Sequence, residues 1–178
     1  MKKKVAFGLF ILVILGIPLF LMIKSEDVLN NGIQHKIQLR GYDPFDPFRG
    51  KYIRLNYDNF VKADPTLEVG DIGYVALKKG EDGFSTFDYM HSQPPEGNDY
   101  FESIVLSIYD STASFRTDNI SKYFINENKA QEAENVVIDY RRDRPEDIYV
   151  AVRVLDGEIR LEDIFVEETP LLDFLEQE

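Results

Sequence analysis

Apolar and polar positions divide the chain into one long uncharged stretch and a larger patterned region. Lysines at positions 2–4 precede residues 5–23, which carry no charge. As a helix this stretch would rise roughly 28 Å, about the thickness of a hydrocarbon core. It predicts a cytoplasmic stub and single-pass membrane anchor over residues 1–24, with everything after residue 24 extracytoplasmic. A cleaved secretory signal is the alternative, although the stretch lacks the small-residue cleavage site of such signals.

After a predicted linker over residues 25–32, apolar side chains recur at every second position, the period of a half-buried strand. In residues 51–58, Ile53, Leu55 and Tyr57 fall on one face, and Tyr52 begins the other. The remaining predicted strands cover residues 33–39, 72–77, 84–90, 101–109, 148–155 and 158–166.

Two segments have helical spacing instead. In residues 127–142, apolar side chains from Ala130 to Tyr140 recur at intervals of three and four, which predicts a helix of about four turns. A short helix is predicted over residues 171–176, with Thr169 as its cap.

Turn residues separate the strands, and the pair Asp156 and Gly157 is typical of a two-residue hairpin. The pattern favours an α+β, β-rich fold: a compact, mostly antiparallel sheet or small open barrel with one packed helix. We assign this extracytoplasmic domain to residues 33–166, followed by an acidic amphipathic tail over residues 167–178.

The balance of charges excludes several classes of function. The chain has 20 Lys plus Arg and 32 Asp plus Glu, a net charge of -12, and nucleic-acid binding is therefore not expected. Without the four lysines of the anchor, the chain has 16 basic and 32 acidic residues, a net charge of -16. Cysteine is absent, so the chain can form no disulfide, thiolate nucleophile or cysteine-held metal. It also has no glycine-rich nucleotide fingerprint, and we expect no cofactor.

One group of polar residues stands out before and within the strand at residues 51–58. Asp43, Asp46 and Arg49 lie in a loop stiffened by two prolines, and Tyr52 and Tyr57 follow. Such a group could bind a cation or a polar ligand. The alternative is architectural: the arginine pairs with either aspartate, and the second tyrosine belongs to the core.

Glu127 and Glu134 share one face of the predicted helix, two turns apart, and could aim both carboxylates at one ligand. Alternatively, Glu127 complements the helix N-terminus and Glu134 faces water or pairs with Arg141. His35 and His91 are the only histidines and lie far apart in the sequence, so we expect no metal site.

Two sequence blocks carry a family resemblance. The block from Gly50 to Tyr57, GKYIRLNY, resembles the motif that names the GDYXXLXY family of bacterial envelope proteins, with Lys51 where the motif has Asp. The block Lys122–Glu127, KYFINE, is similar to the family's Tyr-Phe-x-x-Glu stretch, which leads into a helix. The resemblance implies a membrane-anchored protein without an established activity, often encoded beside a multi-pass membrane protein. A catalytic role for the motif's Asp is disfavoured here, because Lys51 replaces it.

The expected function is that of a membrane-anchored interaction or accessory module of the cell envelope, without chemistry of its own. A multi-pass membrane protein is the partner that the resemblance suggests. The rival hypothesis is an envelope hydrolase or a ligand- or cation-binding sensor that uses the Asp43 to Tyr57 block and Glu127. A Ca²⁺-binding envelope domain is the third possibility.

Overall fold

A computed structural model describes residues 2–39, 52–97 and 99–177 of the chain. The loop over residues 41–50, and with it Asp43, Asp46 and Arg49, lies outside the described residues. The strands are β1 (Ile33–Gln38), β2 (Tyr52–Arg54), β3 (Phe60–Ala63), β4 (Ile72–Lys79), β5 (Ser85–His91), β6 (Tyr100–Tyr109), β7 (Thr112–Phe115), β8 (Lys122–Phe124), β9 (Ile148–Leu155), β10 (Glu158–Val166) and β11 (Thr169–Pro170). The helices are α1 (Lys2–Asn31), α2 (Glu127–Asp143) and α3 (Leu171–Leu175), with a 3-10 turn at Pro145–Asp147.

Five of the strands close into a barrel in the order β3-β5-β4-β6-β7. All neighbours are antiparallel except β3 and β5, which run parallel. A four-stranded antiparallel sheet, β1-β9-β10-β11, and the two-stranded pair β2-β8 complete the architecture of the described residues. The predicted α+β, β-rich class is therefore confirmed, but the barrel is closed rather than open. Closure depends on β3, a short strand that the sequence pattern does not predict.

Burial follows the predicted alternation in the segment that begins with β2. Ile53, Leu55 and Tyr57 are buried, whereas Tyr52 is half-buried and Arg54 is exposed. The strand itself is shorter than predicted and ends at residue 54, although Leu55 N–H still donates to Ser121 O, the next residue in the same register. The alternation of buried and exposed side chains therefore continues past the last residue of the regular strand.

The hairpin between β9 and β10 turns at the predicted pair. Asp156 and Gly157 have φ angles of 47° and 82°, the left-handed values that a tight two-residue turn requires. Both strands are buried on the side that packs against the rest of the core.

The predicted helices form with one difference in capping. In α2, Ala133 and Val137 are buried, and the Asn126 side chain accepts from Asn128 N–H at the N-terminus. In α3 the N-cap position belongs to Pro170, and Thr169 does not cap it. The predicted cap is wrong because Thr169 belongs to β11, where it pairs with Val166 of β10.

The C-terminal tail packs on the domain. Leu171 and Leu175 of α3 are buried in the core, and Phe174 contacts Tyr140 of α2 edge-to-face at 5.6 Å between ring centroids. The apolar side of the tail is therefore covered by the chain's own sheet and helix.

The helix α1 has two different halves. Residues 25–31 of the linker expected over residues 25–32 form its last turns, where Val28 is buried. Just before them, Lys24 Nζ lies 2.7 Å from Glu158 Oε1. By contrast, Phe7 and the apolar side chains between Phe10 and Ile23 are exposed. Within the described residues, no helix is long and apolar enough to cross a membrane, so the structure does not support the predicted span.

Candidate functional site

The two sequence blocks that carry the family resemblance meet in space. The strand β2 belongs to the first block and β8 to the second, and they pair antiparallel with Arg54 opposite Lys122 and Tyr52 opposite Phe124. Between them Ile53 faces Tyr123, and both of these side chains are buried. The pair β2-β8 therefore has an inner apolar face and an outer face of aromatic and cationic side chains.

A cavity of about 580 Å³ lies beside this pair, and we call it the motif groove. Strand β2 and the residues after it form one wall, and the segment from β7 to β8 forms the other. Its lining residues are Tyr52, Arg54, Leu55, Asn56, Tyr57, Asn59, Leu106, Phe115, Arg116, Thr117, Asp118, Ser121 and Lys122.

Hydrogen bonds to the backbone hold the two walls of the motif groove together. The buried Tyr57 hydroxyl donates to Ile120 O at 2.6 Å, and Leu55 N–H donates to Ser121 O at 2.9 Å. Ser121 Oγ in turn donates to Thr117 O at 2.6 Å. Burial raises the pKa of Tyr57 far above its usual value, so the phenol stays protonated and keeps its donor role.

Among the described residues, three cationic side chains and one carboxylate line the motif groove. Arg54, Arg116 and Lys122 supply the positive charges, and Asp118 supplies the negative one. Arg116 Nε lies 3.5 Å from Asp118 Oδ2, and both side chains are largely exposed. Lys122 Nζ lies 5.3 Å from the centre of the Tyr52 ring, a cation–π contact.

The structure separates the predicted site residues into groups. Tyr52 and Tyr57 both line the motif groove, and the second also contributes its ring to the core, as the architectural alternative expects. Glu127 is exposed in the first turn of α2, and Glu134 is half-buried farther along the helix. Neither glutamate lines the groove. Asp43, Asp46 and Arg49 lie outside the described residues.

The sequence pattern did not identify the cationic residues of the motif groove as a candidate site. Arg54 is visible there only as a polar position in an alternating strand, and Lys122 only as the start of the second block. The sequence does not show which residues lie opposite each other in a strand pair, so it could not place Arg54 beside Lys122. Nothing in the sequence pattern marks Arg116.

A second polar contact fixes β8 from its inner side. Tyr123 is influenced by Asp163, which lies at a bulge in β10. Burial raises the pKa of both groups, and the neighbouring Asp163 carboxyl further raises that of the tyrosine. The buried Tyr123 side chain therefore places β8 against the four-stranded sheet.

His35 lies in a separate polar cluster between β1 and the barrel. Its Nδ1 lies 2.9 Å from Ser85 Oγ, and its Nε2 lies 3.2 Å from Asp99 Oδ2. His91 instead packs against the ring of Tyr89, with 4.7 Å between centroids. Among the described residues, no group of three or more His, Asp or Glu side chains is placed to hold a metal ion.

The comparison with protein families identifies the chain at the level of family. The model described as GDYXXLXY protein matches residues 14–164, most of the chain and all of β1 to β9. The chain belongs to the GDYXXLXY family. Searches of curated proteins and of solved structures found no match. In this GDYXXLXY protein the named motif thus supplies one wall of the motif groove, and the second block supplies strand β8 beside it.

Proposed function

We propose that this GDYXXLXY protein is an accessory module of the cell envelope, held at the membrane by α1, with its β-rich domain on the extracytoplasmic side. The observation that carries the proposal is the exposure of the apolar half of α1. Side chains such as Leu12, Leu15 and Phe20 are each more than half exposed, at 68%, 65% and 65%. Water disfavours a continuous apolar surface of this kind, and lipid covers it at no such cost.

The connection between α1 and the domain supports the same role. Lys24 and Ser25 contact β10 through Glu158 and Arg160, at 2.7 and 3.2 Å, and Val28 is buried. Because α1 continues without a break into these contacts, the domain would be held close to the membrane in a fixed orientation. A fixed orientation suits a module that presents one face to a membrane partner.

Fractionation of cells that express the full chain tests the membrane attachment. The protein should remain with the membranes after washing at alkaline pH, and protease added outside the membrane should digest the β-rich domain. The variant Leu15→Arg should shift protein to the soluble fraction, because a central arginine costs roughly 2.5–3.5 kcal/mol in an inserted helix. Glu26→Arg, which replaces a carboxylate with the same guanidinium outside the apolar stretch, is the control.

A soluble wild-type protein in the cytosolic fraction would refute the proposal. So would protection of the domain from external protease together with digestion from the cytoplasmic side. Purification of the full chain in mild detergent tests the accessory role. It should yield a complex of fixed stoichiometry with one multi-pass membrane protein. A monodisperse protein without any partner would contradict that role.

The rival function, a hydrolase or sensor that uses the Asp43 to Tyr57 block with Glu127, requires those residues to act on one ligand. Glu127 does not line the motif groove, so this form of the hypothesis has less support. A Ca²⁺-binding domain would show a calcium-dependent rise in melting temperature.

A further inference from the structure

Arg54 and Lys122 occupy directly opposed positions of the β2-β8 pair, so both side chains project from its outer face. Like charges in such positions repel and destabilise a strand pair. Among the described residues, neither side chain forms an ion pair with a carboxylate. Within the part of the chain that the structure describes, the two opposed cations therefore form an unfavourable pair that no carboxylate compensates.

This concentration of positive charge contrasts with the acidic composition of the domain. Residues 25–178 contain 16 basic and 32 acidic residues, yet the described lining of the motif groove supplies three cations and one carboxylate. Charges separated by more than roughly 8 Å are largely screened at physiological ionic strength. Among the described lining residues, a ligand in the groove would thus meet a local excess of about two positive charges.

The rest of the motif groove can hold the uncharged part of a ligand. Leu106 is a 46% exposed apolar side chain in the lining, and Tyr52 lies beside the 71% exposed Phe124, with 5.8 Å between ring centroids. Thr117 and Ser121 add hydroxyl groups to the lining. The lining of the groove thus combines cationic side chains with apolar and hydroxyl-bearing ones.

We propose that the motif groove binds a phosphate monoester, with Arg54, Arg116 and Lys122 on the phosphate and the aromatic edge on the organic part. A phosphate monoester carries roughly two negative charges at neutral pH, which matches the local excess. Guanidinium groups suit its oxygens because they donate in a planar fork. The ligand would also relieve the repulsion between the opposed cations. This inference does not depend on the accessory role proposed above.

Isothermal titration of the full chain in nonionic detergent tests the proposal with three phosphate probes. Inorganic phosphate tests the anion alone, phenyl phosphate tests the aromatic edge, and dihexanoyl phosphatidic acid tests a lipid headgroup. The tightest of the three identifies the source of the phosphate. Benzenesulfonate, which keeps the ring but carries one charge, should bind more weakly than phenyl phosphate.

Single substitutions locate the site. Arg54→Gln, Arg116→Gln and Lys122→Gln should each weaken binding of the tightest probe about tenfold or more, the usual effect of losing a hydrogen bond to a charged group. Lys78→Gln, which removes an exposed lysine outside the motif groove, is the matched control and should leave affinity unchanged.

Stability measurements separate binding from folding. Without ligand, Arg54→Gln and Lys122→Gln should keep or raise the melting temperature, because each removes the like-charge repulsion. Lower affinity together with undiminished stability supports a ligand-binding role. The proposal is overturned if none of the phosphate probes binds at millimolar concentration, if Lys78→Gln weakens binding as much as the groove variants, or if benzenesulfonate binds as tightly as phenyl phosphate.

Discussion

His35 Nδ1 lies 2.9 Å from Ser85 Oγ, so a buried imidazole of β1 is tied to a buried hydroxyl of the barrel strand β5. The other ring nitrogen lies 3.2 Å from Asp99 Oδ2 without hydrogen-bond geometry. Burial lowers the pKa of His35 and outweighs the opposing effect of the Asp99 carboxylate. The folded protein therefore favours the neutral imidazole.

The free energy of unfolding should consequently decrease as the pH falls from about 7.5 to about 5.5, because the unfolded state then takes up the proton more readily. His35→Gln should flatten this dependence and lower stability at neutral pH by about 1–3 kcal/mol, since Ser85 loses a buried partner. Denaturant unfolding at several pH values measures both effects. His91→Gln should keep the wild-type slope, and an unchanged slope in His35→Gln would contradict the assignment.

Tyr57→Phe should lower the free energy of unfolding by about 1–3 kcal/mol. The substitution removes the hydroxyl that donates to Ile120 O at 2.6 Å and leaves a buried carbonyl without its partner. Urea unfolding measures the change. Tyr109→Phe is the control, because Tyr109 is 85% exposed and the same atom lost there should change stability by less than about 0.5 kcal/mol.

Glu162→Gln should destabilise the four-stranded sheet by about 1 kcal/mol, because Arg153 donates to both carboxylate oxygens at 2.9 and 2.8 Å. The guanidinium lowers the pKa of Glu162, so its stabilisation is present above the unfolded-state value near 4.5 and is lost as the pH falls. Thermal unfolding at neutral and acidic pH should show a smaller difference from wild type in acid. Glu132→Gln, on the exposed side of α2, should have no such effect.

Gly157→Ala should cost about 1–2 kcal/mol, because the residue has a φ of 82° that disfavours any side chain. A Cβ there would make only ordinary van der Waals contact, 3.4 Å from Glu102 Cγ, so the cost comes from the backbone. Calorimetric unfolding measures the loss. Asp156→Asn at the neighbouring turn position, with a φ of 47°, should be tolerated, since asparagine adopts the left-handed region readily. Equal losses in the two variants would indicate an effect other than backbone strain.

Local sequence patterns predicted those elements whose geometry depends on near neighbours. The alternation around Ile53 and the left-handed turn at Asp156 each express a relation between residues at most a few positions apart. The short strands β3, β7 and β8 escaped prediction because three or four residues contain too little of the period to separate a strand from a loop. Thr169 was wrongly predicted to cap a helix for a related reason. The local pattern does not show that this residue pairs with β10 instead.

The sequence by itself determined the apolar N-terminal stretch, the acidic charge of the domain, the longer strands, the helix α2 and the family. Only the tertiary structure decided that the barrel closes through β3, that His35 is buried against Ser85, and that Arg54 faces Lys122 in the motif groove. The physical reason is that these contacts join residues distant along the chain. Their register is selected by the packing of the whole core, a property that no local window of residues contains.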